Sequence, residues 1–284
     1  MADTPDALDA AGAASATEPD PSAAPPSAEA LLRENRILDR RLRRFEANVR
    51  RLEEFQQSNA NLLSGLLRDL EAERARSQRL LLNVLPQRII DRLNAGETLI
   101  ADRHEDATVL FSDFVGFTAI SAELAPSVLV EELNGLFRAF DAICDANGVE
   151  KIKTVGDAYL AVGGLEGSAE EGAAAIADTA LGMLAAVDRG TAAAAEWRIR
   201  IGINNGPIVA GVVGVSKFAY DVWGDTVNVA SRLESTSEPG RIHVSAELAE
   251  LLADRFEFEP RGDVDLKGKG ARATCFLTGR RGGA

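Results

Sequence analysis

The sequence predicts an α+β domain preceded by a long parallel coiled coil. Two patterns carry this prediction. Apolar residues follow a 3.5-residue period from Leu31 to Val84. Beyond Ala107, short apolar runs typical of strands are mixed with amphipathic segments typical of helices. Hydrophobic residues make up 46% of the chain, which is ample for a core in a domain of about 180 residues.

Residues 1–28 are expected to be a disordered acidic tail. They are rich in Ala, Pro, Ser, Asp and Glu, contain no Lys or Arg, and have almost no large apolar side chain. Such a segment cannot bury enough surface to offset the entropy that it would lose on ordering. It also lacks the basic and then apolar pattern of a signal peptide.

Residues 29–84 are expected to form a dimeric coiled coil. The apolar residues recur at alternating steps of three and four, and such a repeat implies a left-handed supercoil. Asn35 falls on the same seam and favours two parallel strands. The alternative is a single amphipathic helix packed on its own domain. The length of the stretch and its Arg- and Glu-rich flanks favour the coil.

Residues 85–104 are expected to link the coil to the globular part. Pro86 lacks a backbone donor and should interrupt or restart the helix. A short helix then runs through Leu93, and a turn follows at residues 94–96.

Residues 105–279 are expected to form the globular domain, followed by a flexible tail at 280–284. The alternation of apolar residues and the turn signals set the elements within it. In chain order they are a strand at 107–112, a helix at 127–146, a hairpin of strands 149–155 and 158–162, a helix at 169–187, strands at 197–203 and 207–213, a helix at 227–234, a strand at His243, a helix at 245–252 and a strand at 274–277.

Composition excludes several classes of protein. A net charge of -13 and a pI of about 4.8 argue against nucleic acid as the main partner, although a few cations can dominate one cleft. The two cysteines, Cys144 and Cys275, argue against a disulfide framework or a cysteine-rich zinc site and fit a reducing cytoplasm. No apolar run approaches the length of about 18 residues that a transmembrane helix needs.

Two aspartates stand in motifs that predict a phosphate and metal site. Asp113 ends a strand, and the turn that follows can hold phosphate oxygens, because Gly116 permits close backbone approach and the next helix presents free N–H groups. The other turn residues are Phe114, Phe117 and Thr118. Asp157 lies at a hairpin tip. Either aspartate alone is more often a cap or turn residue, but two adjacent carboxylates repel, and divalent cations such as Mg²⁺ or Mn²⁺ relieve this repulsion.

The chain resembles the class III nucleotidyl cyclase domain, the family of most adenylate and guanylate cyclases. The resemblance extends from about Leu81 to Leu277. It implies a ferredoxin-like or palm-like sheet with flanking helices, and Leu82–Pro86 resembles the helical transducer that precedes many such domains. The motifs that carry it, in family order, are those around Asp113 and Asp157, then 202–207, 209–214, 220–232 and 264–270.

This resemblance implies a role for each matched residue. Asp113 and Asp157 would coordinate two cations, Mg²⁺ or Mn²⁺, that bridge the triphosphate and help to deprotonate the ribose 3′-hydroxyl. Asn228 would position the ribose. Arg232 would stabilise charge on the α-phosphate during in-line attack, an interaction whose removal typically costs about 10²–10³ in rate.

Further matched positions carry weaker expectations. Arg200 and Lys267 match family positions that contact phosphates, although an arginine that begins a strand and a lysine in a glycine-rich loop are usually solvated. Asp225 replaces the Asn common in adenylate cyclases, and Asn205 stands where His is frequent. Neither of the last two belongs to the residues assigned to chemistry.

The choice of base follows from hydrogen bonding at two further matched positions. Adenine offers an acceptor at N1 and a donor at N6, whereas guanine offers the reverse. Lys153 can only donate and ionised Asp221 can only accept, so the pair complements adenine. Guanylate cyclases usually carry Glu and Cys at these places. The alternative is a surface ion pair without a ligand.

The resemblance also implies a head-to-tail homodimer. Each site would take Asp113 and Asp157 from one subunit, and Lys153, Asp221 and the 228–232 segment from the other, which gives two equivalent sites. The coil would raise the effective concentration of the second domain and could transmit a signal through residues 80–93. No sensor domain is recognisable, so an unidentified regulatory partner remains open.

The sequence therefore predicts a homodimeric adenylate cyclase that converts ATP to 3′,5′-cyclic AMP and pyrophosphate. A guanylate cyclase is the nearest alternative and is disfavoured by Lys153 and Asp221. A P-loop NTPase is disfavoured because its phosphate-binding motif does not occur. A non-catalytic nucleotide-binding scaffold is disfavoured because the full residue set is present.

Overall fold

The structure, a computed structural model, describes residues 27–82, 84–189, 196–214 and 218–282. It divides into two units, Met1–Ser77 and Gln78–Ala284. The disordered tail predicted for residues 1–28 lies almost wholly outside the described residues, and the tail predicted for 280–284 lies partly outside them.

A long helix accounts for the described part of the first unit. Helix α1 spans Ala28–Leu82 and buries none of its side chains. Leucines along its length expose half or more of their surface, for example Leu42, Leu52 and Leu66. An apolar stripe left exposed on a helix of 55 residues is the pattern of a coiled-coil strand. The predicted helix is thus confirmed, and its pairing with a second copy stays a prediction.

The second unit is an eight-stranded mixed sheet with helices on both faces. The sheet order is β2-β3-β1-β4-β6-β8-β7, with β5 paired to β4, and the β4–β6 pair is parallel while the other pairs are antiparallel. The helices are α2 (Gln87–Asn94), α3 (Phe117–Glu123), α4 (Pro126–Asn147), α5 (Ala169–Asp188), α6 (Asp225–Ser235) and α7 (Ala246–Leu251). The strands are β1 (Ala101–Phe114), β2 (Glu150–Val155), β3 (Ala158–Gly163), β4 (Ile199–Val213), β5 (Ala219–Trp223), β6 (Ile242–Ser245), β7 (Phe256–Leu266) and β8 (Gly270–Arg280).

Apolar residues form two core clusters in this unit. The larger cluster gathers residues of α4, α5 and α7 with sheet residues such as Leu110 and Ile201. The second cluster joins α2, through Ile89 and Ile90, to sheet residues such as Val109. Val109 and Leu110 are successive residues of β1 and therefore point to opposite faces of the sheet. Both faces are covered, which explains why the central strands read as nearly continuous apolar runs.

The strand break predicted between residues 203 and 207 was wrong. The strands predicted at 197–203 and 207–213 are a single strand, β4, and Gly206-Pro207 does not end it. The β1–β4 register shifts between His104 and Ala107, opposite Pro207. At such a bulge the proline has no regular ladder bond to lose, so the strand continues through it.

Other elements were missed or drawn too short. β1 begins at Ala101 rather than at 107, because its charged first half pairs with the second half of β4. β8 likewise extends well beyond 274–277. The sequence prediction omitted α3, β5 and β7, which are short or lie at a sheet edge, where one exposed face weakens the apolar pattern.

Gly202 lets α6 lie directly on β4. A Cβ atom at this position would stand 2.0 Å from the backbone nitrogen of Glu234 and 2.4 Å from the carbonyl oxygen of Ala230. Both are backbone atoms of α6, so no side-chain rotation could relieve the contact. The close approach fixes the helix that carries Asn228 and Arg232.

We predict that Gly202→Ala destabilises the protein, because α6 must move outward. The expected loss is about 1–3 kcal/mol, which corresponds to several degrees in the melting temperature. Gly279→Ala in β8 is the matched control, since its added Cβ would meet no atom within 4 Å. Thermal unfolding of both variants measures the effect, and equal melting temperatures would contradict the packing argument.

Candidate active site

The fold brings Asp113 and Asp157 together at one edge of the sheet. Asp113 is the penultimate residue of β1, and Asp157 lies in the turn between β2 and β3. β1 pairs with β3, with Ser112 opposite Tyr159, so the end of β1 and the β2–β3 turn are neighbours. Gly156 forms this turn at φ 64°, a conformation that favours glycine.

The two carboxylates interact electrostatically. The pKa of Asp157 is raised above the ordinary aspartate value, first by burial and then by the charge and hydrogen bonding of Asp113. Backbone N–H groups, including that of Phe114, act in the opposite direction. Two crowded carboxylate groups form a hard-oxygen donor set that fits Mg²⁺ or Mn²⁺. Among the described residues no larger group of His, Cys, Asp and Glu forms a metal centre.

Arg200 pairs with one of these aspartates. The strand register sets Arg200 of β4 opposite Asp113 of β1, and its Nη2 lies 3.0 Å from Asp113 Oδ2. The same nitrogen lies 3.2 Å from Glu234 Oε1. The guanidinium of Arg200 therefore offsets the negative charge of Asp113 and Glu234 in this structure. The sequence-based assignment of Arg200 to phosphate binding requires it to release Asp113.

Glu234 is a site residue that the sequence reasoning missed. It lies on the buried face of α6 at 8% exposure, and its pKa is raised to about 7, first by burial. The charge of Arg200 lowers this pKa, while Asp113 and Asp157 raise it. Glu234 Oε1 is buried, and its partner in the described chain is the guanidinium of Arg200, at an ion-pair distance without good hydrogen-bond geometry. Arg200 Nε is buried without a hydrogen-bond partner among the described residues. A glutamate directly after Leu233, on the apolar side of its helix, is the signal that could have found it.

The predicted base-reading residues meet within one chain. Lys153 Nζ lies 2.5 Å from Asp221 Oδ2, and the backbone N–H of Val222 donates to the other oxygen of Asp221. The lysine side chain is 41% exposed and the aspartate side chain 18% exposed. The backbone N–H of Val222 thus fixes Asp221, while the side chains of both residues remain accessible from solvent.

Asn228 and Arg232 lie on the exposed face of α6. They are four residues apart, so they stand one above the other on the helix. The buried residues Ala230 and Leu233 occupy the opposite face. The helix therefore presents the predicted ribose and α-phosphate ligands outward, towards whatever covers this side of the domain.

The predicted phosphate-binding turn offers mainly backbone N–H groups, because the side chain of Phe114 is buried. Phe114 is buried at 2% exposure, with its ring centroid 5.1 Å from that of Trp197, so only its backbone faces the aspartates. Gly116 has φ 71° and precedes the first residue of α3. Phe117 is half-buried and Thr118 exposed. Their N–H groups belong to the first turn of α3, where no intrahelical acceptor exists.

Lys267 stands apart from these groups. It is exposed in the turn between β7 and β8, and within the described part of the chain no hydrogen bond or ion pair joins it to another predicted site residue. Its neighbour Lys269 forms an ion pair with Asp225, the first residue of α6. This ion pair links the β7–β8 turn to the start of α6. It also gives a structural partner to Asp225, which stands where adenylate cyclases commonly have Asn.

Comparison with known proteins agrees with this fold. Residues 99–279 match the family described as the adenylate and guanylate cyclase catalytic domain. An adenylate cyclase of Mycobacterium tuberculosis is 45% identical over 221 residues, which cover 75% of this chain and 48% of that protein. Retinal guanylyl cyclase 1 of Bos taurus is 40% identical over 252 residues, which cover 86% of this chain and 22% of that protein.

A solved structure shares the fold. The guanylate cyclase domain of RhGC from Catenaria anguillulae, determined in complex with GTP, aligns with a TM-score of 0.61 and 38% identity. The alignment covers 63% of this chain and all of that one.

The chain belongs to the class III adenylate and guanylate cyclase family, and its second unit is the cyclase catalytic domain. Domains of this family use divalent metal ions. The chain spans about half the length of the mycobacterial relative and less of the bovine one. None of the described helices is both long enough and apolar enough to cross a membrane.

We predict that Glu234 makes the stability of the metal-free protein fall as pH rises. Its folded pKa of about 7 exceeds the ordinary value of 4.5, so the folded state binds the proton more tightly. The stabilisation is therefore full below pH 4.5 and is lost as pH rises to about 7. Glu234→Gln should remove up to about 3 kcal/mol of the difference in unfolding free energy between low and high pH.

Urea unfolding in the presence of a chelator, at about pH 5 and about pH 8, measures this difference. Glu238→Gln, which changes an exposed glutamate just beyond α6, is the control. If Glu234→Gln and Glu238→Gln both kept the wild-type pH dependence, the burial of an ionisable Glu234 would be contradicted.

Proposed function

We propose that this protein is an adenylate cyclase that converts ATP to 3′,5′-cyclic AMP and pyrophosphate. The family includes both adenylate and guanylate cyclases, as the relatives do. The observation that carries the choice of ATP is that a donor, Lys153, and an acceptor, Asp221, lie side by side and are both partly exposed.

This pair supports adenine through the direction of its hydrogen bonds. The Lys153 ammonium donates to adenine N1, and the Asp221 carboxylate accepts from the N6 amino group. Guanine would place its N1–H against the ammonium and its O6 against the carboxylate. Such a mismatch leaves buried polar groups unpaired, which is how sites reject a wrong substrate most strongly.

The other residues act on the triphosphate and the ribose. Asp113 and Asp157 would hold divalent cations, whose chemistry would be to neutralise charge at the phosphates and to acidify the 3′-hydroxyl. Asn228 orients the ribose so that its 3′-oxygen faces the α-phosphorus. Attack forms the new O–P bond, and the bond to the pyrophosphate leaving group breaks. Arg232 stabilises the negative charge that gathers on the α-phosphate.

Arg200 changes partners in this reaction. In the protein alone it pairs with Asp113, the residue proposed to bind metal. With a divalent cation bound at the aspartates, Asp113 would no longer need the charge of Arg200, and the guanidinium would be available to the β- or γ-phosphate. Glu234 stays paired with Arg200 during this exchange, since its Oε1 lies 3.2 Å from Arg200 Nη2, the nitrogen that also contacts Asp113.

Two subunits form each site. Asp113 and Asp157 of one subunit face Lys153, Asp221 and the exposed residues of α6 in the other. The outward direction of Asn228 and Arg232 supports this arrangement, because a partner surface must cover them to build a closed site. A two-fold axis gives two equivalent sites, and the exposed leucine stripe of α1 pairs as a coiled coil that raises the effective concentration of the catalytic domains.

A direct assay tests the function. Purified protein with Mg²⁺ or Mn²⁺ should form cyclic AMP from ATP and much less cyclic GMP from GTP. Asp113→Ala should lower the rate by at least about 10²-fold, because a metal ligand is lost. Preferential formation of cyclic GMP would overturn the argument from Lys153 and Asp221. No product from a folded dimer would favour a nucleotide-binding scaffold or a missing activator.

Mixing two inactive variants tests the shared site. Asp113→Ala and Arg232→Ala carry their defects in opposite halves, so a heterodimer keeps one intact site. Random mixing should restore about one quarter of the wild-type activity. The matched control is Asp113→Ala mixed with Asp157→Ala, where every site lacks an aspartate and no activity should return. Absence of recovery in verified heterodimers of the first pair would exclude shared sites.

A further inference from the structure

No backbone hydrogen bonds pair the two strands that carry the proposed base-reading residues directly with each other in the described sheet. Lys153 lies on β2, an edge strand that is hydrogen-bonded to β3 alone, and Asp221 lies on β5, which is bonded to β4. The strands β3, β1 and β4 stand between them in the sheet. The distance between Lys153 and Asp221 therefore depends on side-chain contacts that bridge β2 and β5.

A bulge in β2 turns a second charged residue to the side of Lys153. Glu150 pairs with Val162 and Lys153 pairs with Leu160, with a register shift at Ile152. Val162 and Leu160 are two residues apart and lie on the same face of β3. Their partners Glu150 and Lys153 therefore share a face although three residues separate them, because the bulge adds one.

Arg88 of α2 joins this glutamate to β5. Its guanidinium donates to both carboxylate oxygens of Glu150, with Nη2 at 3.0 Å from Oε1. The same Nη2 lies 2.6 Å from the hydroxyl oxygen of Tyr220. Tyr220 is buried and directly precedes Asp221. Arg88 thus contacts one residue on each of the two strands that hold the base-reading pair.

Helix α2 gives Arg88 a fixed position. Ile89 and Ile90, the next residues, are buried at 1% and 3% exposure in the same cluster as Leu160, Val162 and Tyr220. A cleft of about 760 Å³ lined by Leu85, Glu150, Lys153 and Tyr220 borders this cluster. Beside this cleft, Arg88 adds polar contacts between β2 and β5 to the Lys153–Asp221 ion pair and to the packing of Ile152 against the same cluster.

We propose that Arg88 is a positioning residue for base recognition, which it serves by holding β2 and β5 at the spacing that keeps Lys153 and Asp221 on one base. This inference rests on the proposed function. It also makes the segment after the coil a determinant of base choice, so a shift of α2 would alter discrimination between nucleotides. A structural role alone would lower stability without changing which base is preferred.

The test compares two arginines of one helix. Arg88→Gln removes the guanidinium that joins Glu150 to Tyr220. Arg92→Gln, one turn further on, removes ion pairs to Glu97 and Asp102, which lie on neither β2 nor β5. The measurement is the ratio of kcat/KM for ATP to that for GTP, together with the melting temperature. Arg88→Gln should lower the ratio by about three- to tenfold, and Arg92→Gln should leave it unchanged even if stability falls.

A double-mutant cycle sharpens the result. In a Lys153→Ala background the reading pair is already lost, so Arg88→Gln should have little further effect on the ratio. Tyr220→Phe removes only the hydroxyl and keeps the buried ring, so it provides a variant with the core intact; it should lower the ratio by a smaller factor than Arg88→Gln. An unchanged ratio in both Arg88→Gln and Tyr220→Phe would overturn the inference, as would equal changes in Arg88→Gln and Arg92→Gln.

The outcomes separate this inference from the proposed function. If the wild type preferred GTP, the adenine assignment would fail, yet Arg88→Gln should still narrow the preference, whichever base it favours. If the wild type formed no cyclic nucleotide, the ratio of ATP to GTP affinities, measured by competition binding, replaces the kinetic ratio. The same two arginine variants then decide the role of Arg88.

Discussion

The repulsion between two carboxylates is the constraint on which the rest of this site depends. Asp113 and Asp157 meet because β1 pairs with β3, and burial together with mutual repulsion raises the pKa of Asp157. The sheet register supplies a cation, Arg200, directly opposite Asp113. Glu234 then comes into this cluster because Gly202 lets α6 lie on β4. The repulsion among these carboxylates must be offset by positive charge. In this structure Arg200 supplies that charge, and a bound divalent cation would supply it as well.

The proposed base-reading pair depends on a different kind of contact. The Lys153–Asp221 pair crosses between strands that share no ladder bonds, so its geometry is set by side chains. Charge-assisted hydrogen bonds from Arg88 are directional and bidentate, and they define spacing better than apolar packing does. Backbone register therefore brings Asp113 and Arg200 together, whereas the two strands that carry the proposed base-reading pair are joined by the side-chain contacts of Arg88.

Much of the architecture could be predicted from local sequence. The heptad period gave α1, and the apolar runs around Asp113 and Asp157 gave the strands that hold them. The nearness of Lys153 and Asp221 was also predicted, because both residues stand at recognisable spacings from the motifs of the family, whereas their direct ion pair was given only as the alternative without a ligand. Gly206-Pro207 misled the prediction, since a proline is compatible with a strand only at an irregularity such as the bulge opposite it, and that irregularity belongs to the partner strand.

The sequence by itself determined the chemical types present and their order: two aspartates at strand ends, a lysine and an aspartate suited to adenine, and an amide and an arginine on one helix face. Only the tertiary structure decided how these groups are balanced. Arg200 opposite Asp113, Glu234 buried beside them, and Arg88 spanning Glu150 and Tyr220 are contacts between residues 34 to 132 positions apart or on different elements. Such contacts follow from strand register and helix packing, which no local pattern of residues specifies.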